Sequence, residues 1–245
     1  MCHPGNSLRR GGIPLTTREN LFRPIHKGIR AMIYDLGRRL AVADFTSVVE
    51  SNEIARQLKH DLNGATSNCI MCLLYAHSRH EEQDFFAPVA AFDKDLVDLL
   101  MVEHREIAKQ VFAVGRTCDE LLGVSDAARR IEIGDRLNLE VNDLFAAYLA
   151  HLNNEEATLV PVMWERFTDE QLRALRAQFY NQIPLARFEE WMRWTLPSLN
   201  PEELEILLAG MRTDPPPNRY RDALRVAEAT VPPERWGSQK ARFGI

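Results

Sequence analysis

The sequence predicts an all-α protein, an up-down-up-down four-helix bundle with a helical C-terminal extension, on three observations. Apolar residues recur three and four apart along nearly the whole chain, and no stretch alternates convincingly with period two. Glycine and proline punctuate that pattern into long segments. Four of the seven histidines, His26, His77, His104 and His151, fall near the middle of the four longest segments.

A length of 245 residues suffices for a full core without disulfides. With 30 basic and 35 acidic side chains the formal net charge is −5, which argues against a nucleic-acid binder. No apolar run approaches the roughly 18 residues of a membrane span. The four cysteines are too scattered for a disulfide framework and fit a reducing compartment, so a cytoplasmic protein is expected. Residues 1–19 read as a flexible tail, with charge and glycine but no apolar block of a signal peptide.

The first helix is expected over 21–42, with Ile25, Ile29, Met32, Ile33, Leu36 and Leu40 along one side, ending at Asp44-Phe45-Thr46. A second helical region covers 48–92, with a possible interruption at Asn63-Gly64 and a kink at Pro88. The third runs over 95–122 and stops at Gly123 as a left-handed cap. Ser125 caps the fourth, which continues to about residue 158 as Pro161 approaches. These four make a bundle over 20–165. In the extension, 166–245, Thr168-Asp169-Glu170-Gln171 and Asn200-Pro201-Glu202-Glu203 each start a short helix. Pro215-Pro216-Pro217 forbids helix, and one last helix spans 219–230. The sequence alone leaves open whether the extension packs on the bundle or is a mobile appendage.

Antiparallel neighbours bring two residues to one height only when the turn lies near their sequence midpoint. The midpoint of His77 and His104 falls at the 90–95 connection, and that of His104 and His151 close to the 123–125 break. The midpoint of His26 and His77 falls a few residues beyond Thr46. One bundle therefore brings all four histidines to about one level. Two of them carry a glutamate one turn later, His77-x3-Glu81 and His151-x3-Glu155, which shares their helix face. The surroundings repeat too, since both motifs continue with a second glutamate, Glu82 or Glu156, and then a proline. Unpaired carboxylates in a bundle core are disfavoured by several kcal/mol each. Metal cations reverse that sign. Imidazole and carboxylate ligands suit iron, with zinc or manganese as lesser candidates, and two carboxylates able to bridge favour two metals. The alternative for the same residues is a buried polar network without metal. Glu82 and Glu156 point away from the ligand face and suit a solvated or supporting role.

The set His26, His77-x3-Glu81, His104 and His151-x3-Glu155 resembles the hemerythrin-like (HHE cation-binding) domain over residues 20–165. That resemblance implies His26, His77, His104 and His151 as terminal ligands of two non-haem irons, Fe2+ or Fe3+. Glu81 and Glu155 would bridge them beside an oxo or hydroxo group. It also implies binding of O2, NO or peroxide in a sensing, storage or protective role. A di-iron oxidoreductase acting on peroxide or nitric oxide, and an iron-dependent adaptor using the extension to bind a partner, are the alternatives. The chain departs from the oxygen-carrying hemerythrins at Ala108, where their third helix places a second histidine, and in using His-x3-Glu for their last His-x4-Asp. His80, three residues from His77, is one candidate to fill the gap; water or a diatomic ligand is the other.

Around the centre, Leu73, Leu74, Met101, Val102, Phe145 and Leu149 are expected to exclude water. Tyr148 either bonds a bound oxygen species or packs with its hydroxyl at the surface. Cys69-x2-Cys72 reads as core packing or as a thiol sensor. Trp191, Trp194, Leu196 and Leu199 form an apolar set that docks on the bundle or makes a homodimer interface.

Overall fold

The structure, a computed structural model, describes residues 18–59, 70–213 and 217–243, and every regular element among them is helical. Among the described residues no helix is long and apolar enough to cross a membrane. Helix α1 (Arg23–Ala41) starts where Asn20 Oδ1 accepts the backbone N–H groups of Phe22 and Arg23 at 3.0 and 2.8 Å. Pro24 sits in its first turn, where no donor is lost. Helix α2 spans Val48–Lys59 and α3 spans Ile70–His80; the expected break at Asn63-Gly64 and the Cys69-x2-Cys72 pair lie outside the residues whose side chains are described.

After α3 the backbone widens into a π-helical turn, Glu81–Phe86, then returns to α4 (Ala87–Ala90). Pro88 has no N–H to give to the carbonyl of Asp84, and the helix accommodates it by widening just upstream. Helix α5 (Lys94–Leu122) is capped by Asp93, and α6 (Ala127–Arg166) by Asp126, whose side chain accepts from Arg129 N at 2.9 Å. The sequence had pointed to Ser125 for that cap. Gly123 is right-handed, with φ −87°, and its N–H bonds back to Asp119 O at 3.1 Å, so no left-handed cap forms. Helix α6 also runs through Pro161 to Arg166, because Leu159, Val160 and Met163 are buried on either side of it.

The C-terminal helices are α7 (Asp169–Gln182), α8 (Leu185–Ser198), α9 (Pro201–Thr213), α10 (Pro217–Thr230) and α11 (Pro233–Phe243). Both expected starts hold: Thr168 and Gln171 form a reciprocal capping box, and Asn200 and Glu203 bond each other's backbone N–H. Helix α11 was missed since Pro232-Pro233 read as a stop, while proline at a first helical position is equally a start.

Helix α5 packs most extensively on α6; α1 lies against α6 and α8, and α2 against α3 and α5. One continuous hydrophobic cluster runs from Phe22 to Trp236, so the C-terminal helices are packed on the rest. Trp191, Leu196 and Leu199 are buried there, with Trp194 partly so. The crossing of α1 and α8 is close. A Cβ on Gly28 would stand 2.8 Å from Thr195 Oγ1, 2.9 Å from Thr195 N and 3.0 Å from its Cα. Backbone cannot swing aside, so Gly28→Ala is expected to cost about 2 kcal/mol and lower Tm by about 4–8 °C in a thermal melt. An unchanged melt would mean that the helices separate without cost.

Candidate metal centre

Four elements each bring one histidine to the interior: α1 His26, α3 His77, α5 His104 and α6 His151, all at most 4% exposed. Glu81, first residue of the π-helical turn, and Glu155 on α6 join them at 1% and 0%. Their ligand atoms form two overlapping groups: His26, His77, Glu81 and Glu155, and His104, His151, Glu81 and Glu155. Both carboxylates belong to both groups. Glu81 Oε1 faces His77 Nε2 at 3.0 Å and His26 Nε2 at 3.5 Å, while its Oε2 faces His104 Nε2 at 3.5 Å. Glu155 Oε2 faces His26 Nε2 at 3.5 Å, and its Oε1 lies 3.4 Å from His151 Nε2 and 3.9 Å from His104 Nε2.

These separations suit shared ions. Two atoms each about 2.1 Å from one metal and bonded at roughly 90–110° stand about 3.0–3.5 Å apart. The two Nε2 atoms of His104 and His151 are 2.9 Å apart. Both Glu155 oxygens, Glu81 Oε2 and His77 Nε2 are buried with no hydrogen-bond partner. Buried polar atoms are almost always satisfied, so four unpartnered atoms gathered within these two groups are what a cation site would need. The donor set therefore fits metal, and a polar network on its own leaves these four atoms without a partner.

A second layer orients the imidazoles. Glu156 Oε1 meets His26 Nδ1 at 3.0 Å, Glu82 Oε1 meets His104 Nδ1 at 3.1 Å and Glu103 Oε2 meets His151 Nδ1 at 2.7 Å. Each fixes the ring so that Nε2 points inward and makes it a stronger donor to metal. Arg30 donates to Glu156 at 2.7 Å, Arg79 to Glu82 at 2.7 Å and Asn154 to Glu103 at 2.7 Å. Glu82 and Glu156 thus take the supporting role expected of them. Glu103 was missed, although the acid-beside-ligand doublets 81–82 and 155–156 recur at 103–104.

Burial on its own lowers the His151 pKa, but the charges of Glu155 and Glu81 and the hydrogen bond to Glu103 more than offset it, to about 9. His26 is raised against the same burial by Glu156, Glu81 and Glu155. Burial opposes the charged form of Glu156, yet His26 and Arg30 hold it at about 2. The folded metal-free chain therefore keeps a proton on His151 from the ordinary 6.5 up to about 9, where the unfolded chain has released it. Stability of the metal-free protein is expected to fall as pH rises through that window, and metal affinity to rise, because the ion displaces the proton. Melts and metal titrations at both ends of the window check this; a pH-independent affinity refutes it.

Aromatic rings wall the site. Phe86 stacks on His104 at 5.2 Å, Phe22 stands edge-on to His26 at 5.6 Å, and Trp191 of α8 stands edge-on to His77 at 6.4 Å. Leu73, Leu74 and Phe145 are buried as expected, with Met101 and Leu149 partly buried; Val102 is 44% exposed and walls nothing. The Tyr148 hydroxyl is fully buried and donates to Leu74 O at 3.0 Å, so it neither reaches the surface nor is left free for a ligand. His80 lies outside both ligand groups. Its ring is edge-on to Phe179 and Trp191, and its Nδ1 is 3.6 Å from Asp84 Oδ2.

Over 182 residues, 73% of its length, the chain is 24% identical to a BRUTUS-like zinc finger protein of Arabidopsis thaliana. It spans 14% of that relative. No family model matches the chain, and no solved structure matches it significantly.

Proposed function

We propose that this chain is a hemerythrin-like, non-haem di-iron protein whose centre binds O2, NO or peroxide in a sensing, storage or protective role. In this reading α1, the α2–α4 stretch, α5 and α6 form the up-down-up-down bundle, 20–165, and 166–245 is its extension. The observation that carries it is the sharing of Glu81 and Glu155 between two histidine pairs. Two ions would be held by His26 with His77 and by His104 with His151, and Glu81 and Glu155 are placed to serve both. Bound iron would supply Lewis acidity and electrons.

The protein's own part is to hold and shield. His26, His77, His104 and His151 stay oriented through Glu156, Glu82 and Glu103, and the aromatic wall keeps bulk water out. A cavity of about 30 Å³ borders His77 and Glu81 beneath Phe179 and Trp191. That is more than the roughly 10–15 Å³ of such space that one water needs, so a diatomic or peroxide has room there. The α8 helix completes this cover, which also supports the adaptor alternative, in which the extension reports the state of the centre to a partner. Elemental analysis with the absorption spectrum of the oxidised protein tests the reading. Two irons per chain with near-ultraviolet charge-transfer bands are expected; a chain that stays metal-free after anaerobic reconstitution with ferrous iron overturns it.

A further inference from the structure

A second opening flanks the centre on its other side. Ala108 follows His104 by one turn on the same face of α5, and the small side chain leaves a cleft of about 280 Å³ between α3 and α5. His104 and Glu82 close its inner end, and Ile107 and Val111 give it an apolar floor. This volume falls just below the roughly 300–1,000 Å³ of drug-sized sites, which suits a ligand of one ring.

Its rim has a defined charge. Arg79 is neutralised by Glu82 at 2.7 Å, so that carboxylate does not repel an incoming anion. Arg105 also lines the cleft and has no carboxylate partner among the described residues. One uncompensated guanidinium therefore stands over an apolar floor. Tyr75 on the cleft wall is 45% exposed and pairs with Phe112, 60% exposed, at a ring distance of 6.2 Å, which leaves an aromatic face at the mouth.

We infer that this cleft binds a small aromatic monocarboxylate, its ring on Tyr75, Ile107 and Val111 and its carboxylate on Arg105. A guanidinium takes a carboxylate through charge-assisted hydrogen bonds, and the ring buries apolar surface that a bare anion leaves uncovered. The site borders the metal centre through His104, but the contacts proposed for the ring and the carboxylate are with other residues and need no metal.

Benzoate titrated into the full chain, metal-loaded and metal-free, tests this by ligand-observed NMR, with benzamide and inorganic phosphate as controls. Benzoate is expected to bind both forms. Arg105→Gln is expected to weaken benzoate about tenfold, the loss of one charge-assisted hydrogen bond, and to leave benzamide unchanged. Ala108→Phe fills the cleft and is expected to abolish binding of both rings, with circular dichroism as in the parent. The inference is overturned by absence of benzoate binding at millimolar concentration. It is equally overturned by binding that both variants retain, or by phosphate displacing benzoate at equal concentration, which would leave charge alone as the cause. Because the metal-free chain is assayed too, benzoate binding and iron binding succeed or fail separately.

Discussion

Glu155→Gln is expected, on the di-iron reading proposed above, to empty both metal positions at once. Its two oxygens face different histidine pairs, Oε2 toward His26 and Oε1 toward His104 and His151, so one neutralised carboxyl removes an anionic ligand from each group. Iron content should fall from two per chain toward none, whereas His26→Ala touches one group and should leave about one. Loss of bound metal also removes its linkage to folding, about 4 kcal/mol when metal stands a thousandfold above its dissociation constant. For a chain of this size that lowers Tm by about 8–16 °C. Elemental analysis and calorimetry of the two variants read both effects. Two irons retained in Glu155→Gln would falsify the shared-ligand assignment.

Arg130→Met is expected to destabilise the fold without emptying the site. Arg130 is fully buried and donates to Val124 O at 2.5 Å, Leu121 O at 3.4 Å, Val48 O at 3.4 Å and Asn52 Oδ1 at 3.2 Å. It caps the carbonyl end of α5, where the helix dipole favours a cation, and ties that end to the start of α2. Methionine keeps the stem but gives up the buried guanidinium's hydrogen bonds to Leu121, Val124, Val48 and Asn52, a loss of about 3 kcal/mol or about 6–12 °C in Tm. Arg130 and His151 are 21 residues apart on α6, about 30 Å. Iron content should therefore match the parent. A variant that melts lower and also loses iron would mean that the far end of the bundle sets the geometry of the centre.

The contrast between these residues shows what a sequence exposes. His26, His77, His104 and His151, with Glu81 and Glu155, were legible because the signal is local and repeated. A spacing of four fixes a shared helix face, and turn positions fix relative height. Glu103 was not singled out, because its partner His151 lies on another helix and only their mutual rotation makes the contact. Arg130 looks like any charged residue on an amphipathic helix until α2 and α5 close over it. Trp191 was legible as apolar, but its place beside His77 depends on how α8 crosses α1. The left-handed Gly123 failed for a related reason. The backbone N–H groups of Gly123 and Val124 already reach Asp119 O, Glu120 O and Leu121 O, so the chain stays right-handed there.

What the sequence by itself determined is the helical class, the face of each helix that carries a candidate ligand and the residue types of the histidine and glutamate cluster. All of these follow from residue type and the 3.6-residue period. Only the tertiary structure decided that the two carboxylates are shared between histidine pairs and that Glu82, Glu103 and Glu156 brace rings on neighbouring helices. It also decided that the C-terminal helices lie on α1 and roof the His77 side, through the close approach of Gly28 to Thr195. The physical reason is that a ligand's identity is local, whereas bridging, bracing and shielding depend on the crossing of helices far apart in the chain. Those crossings are set by packing summed over the whole core.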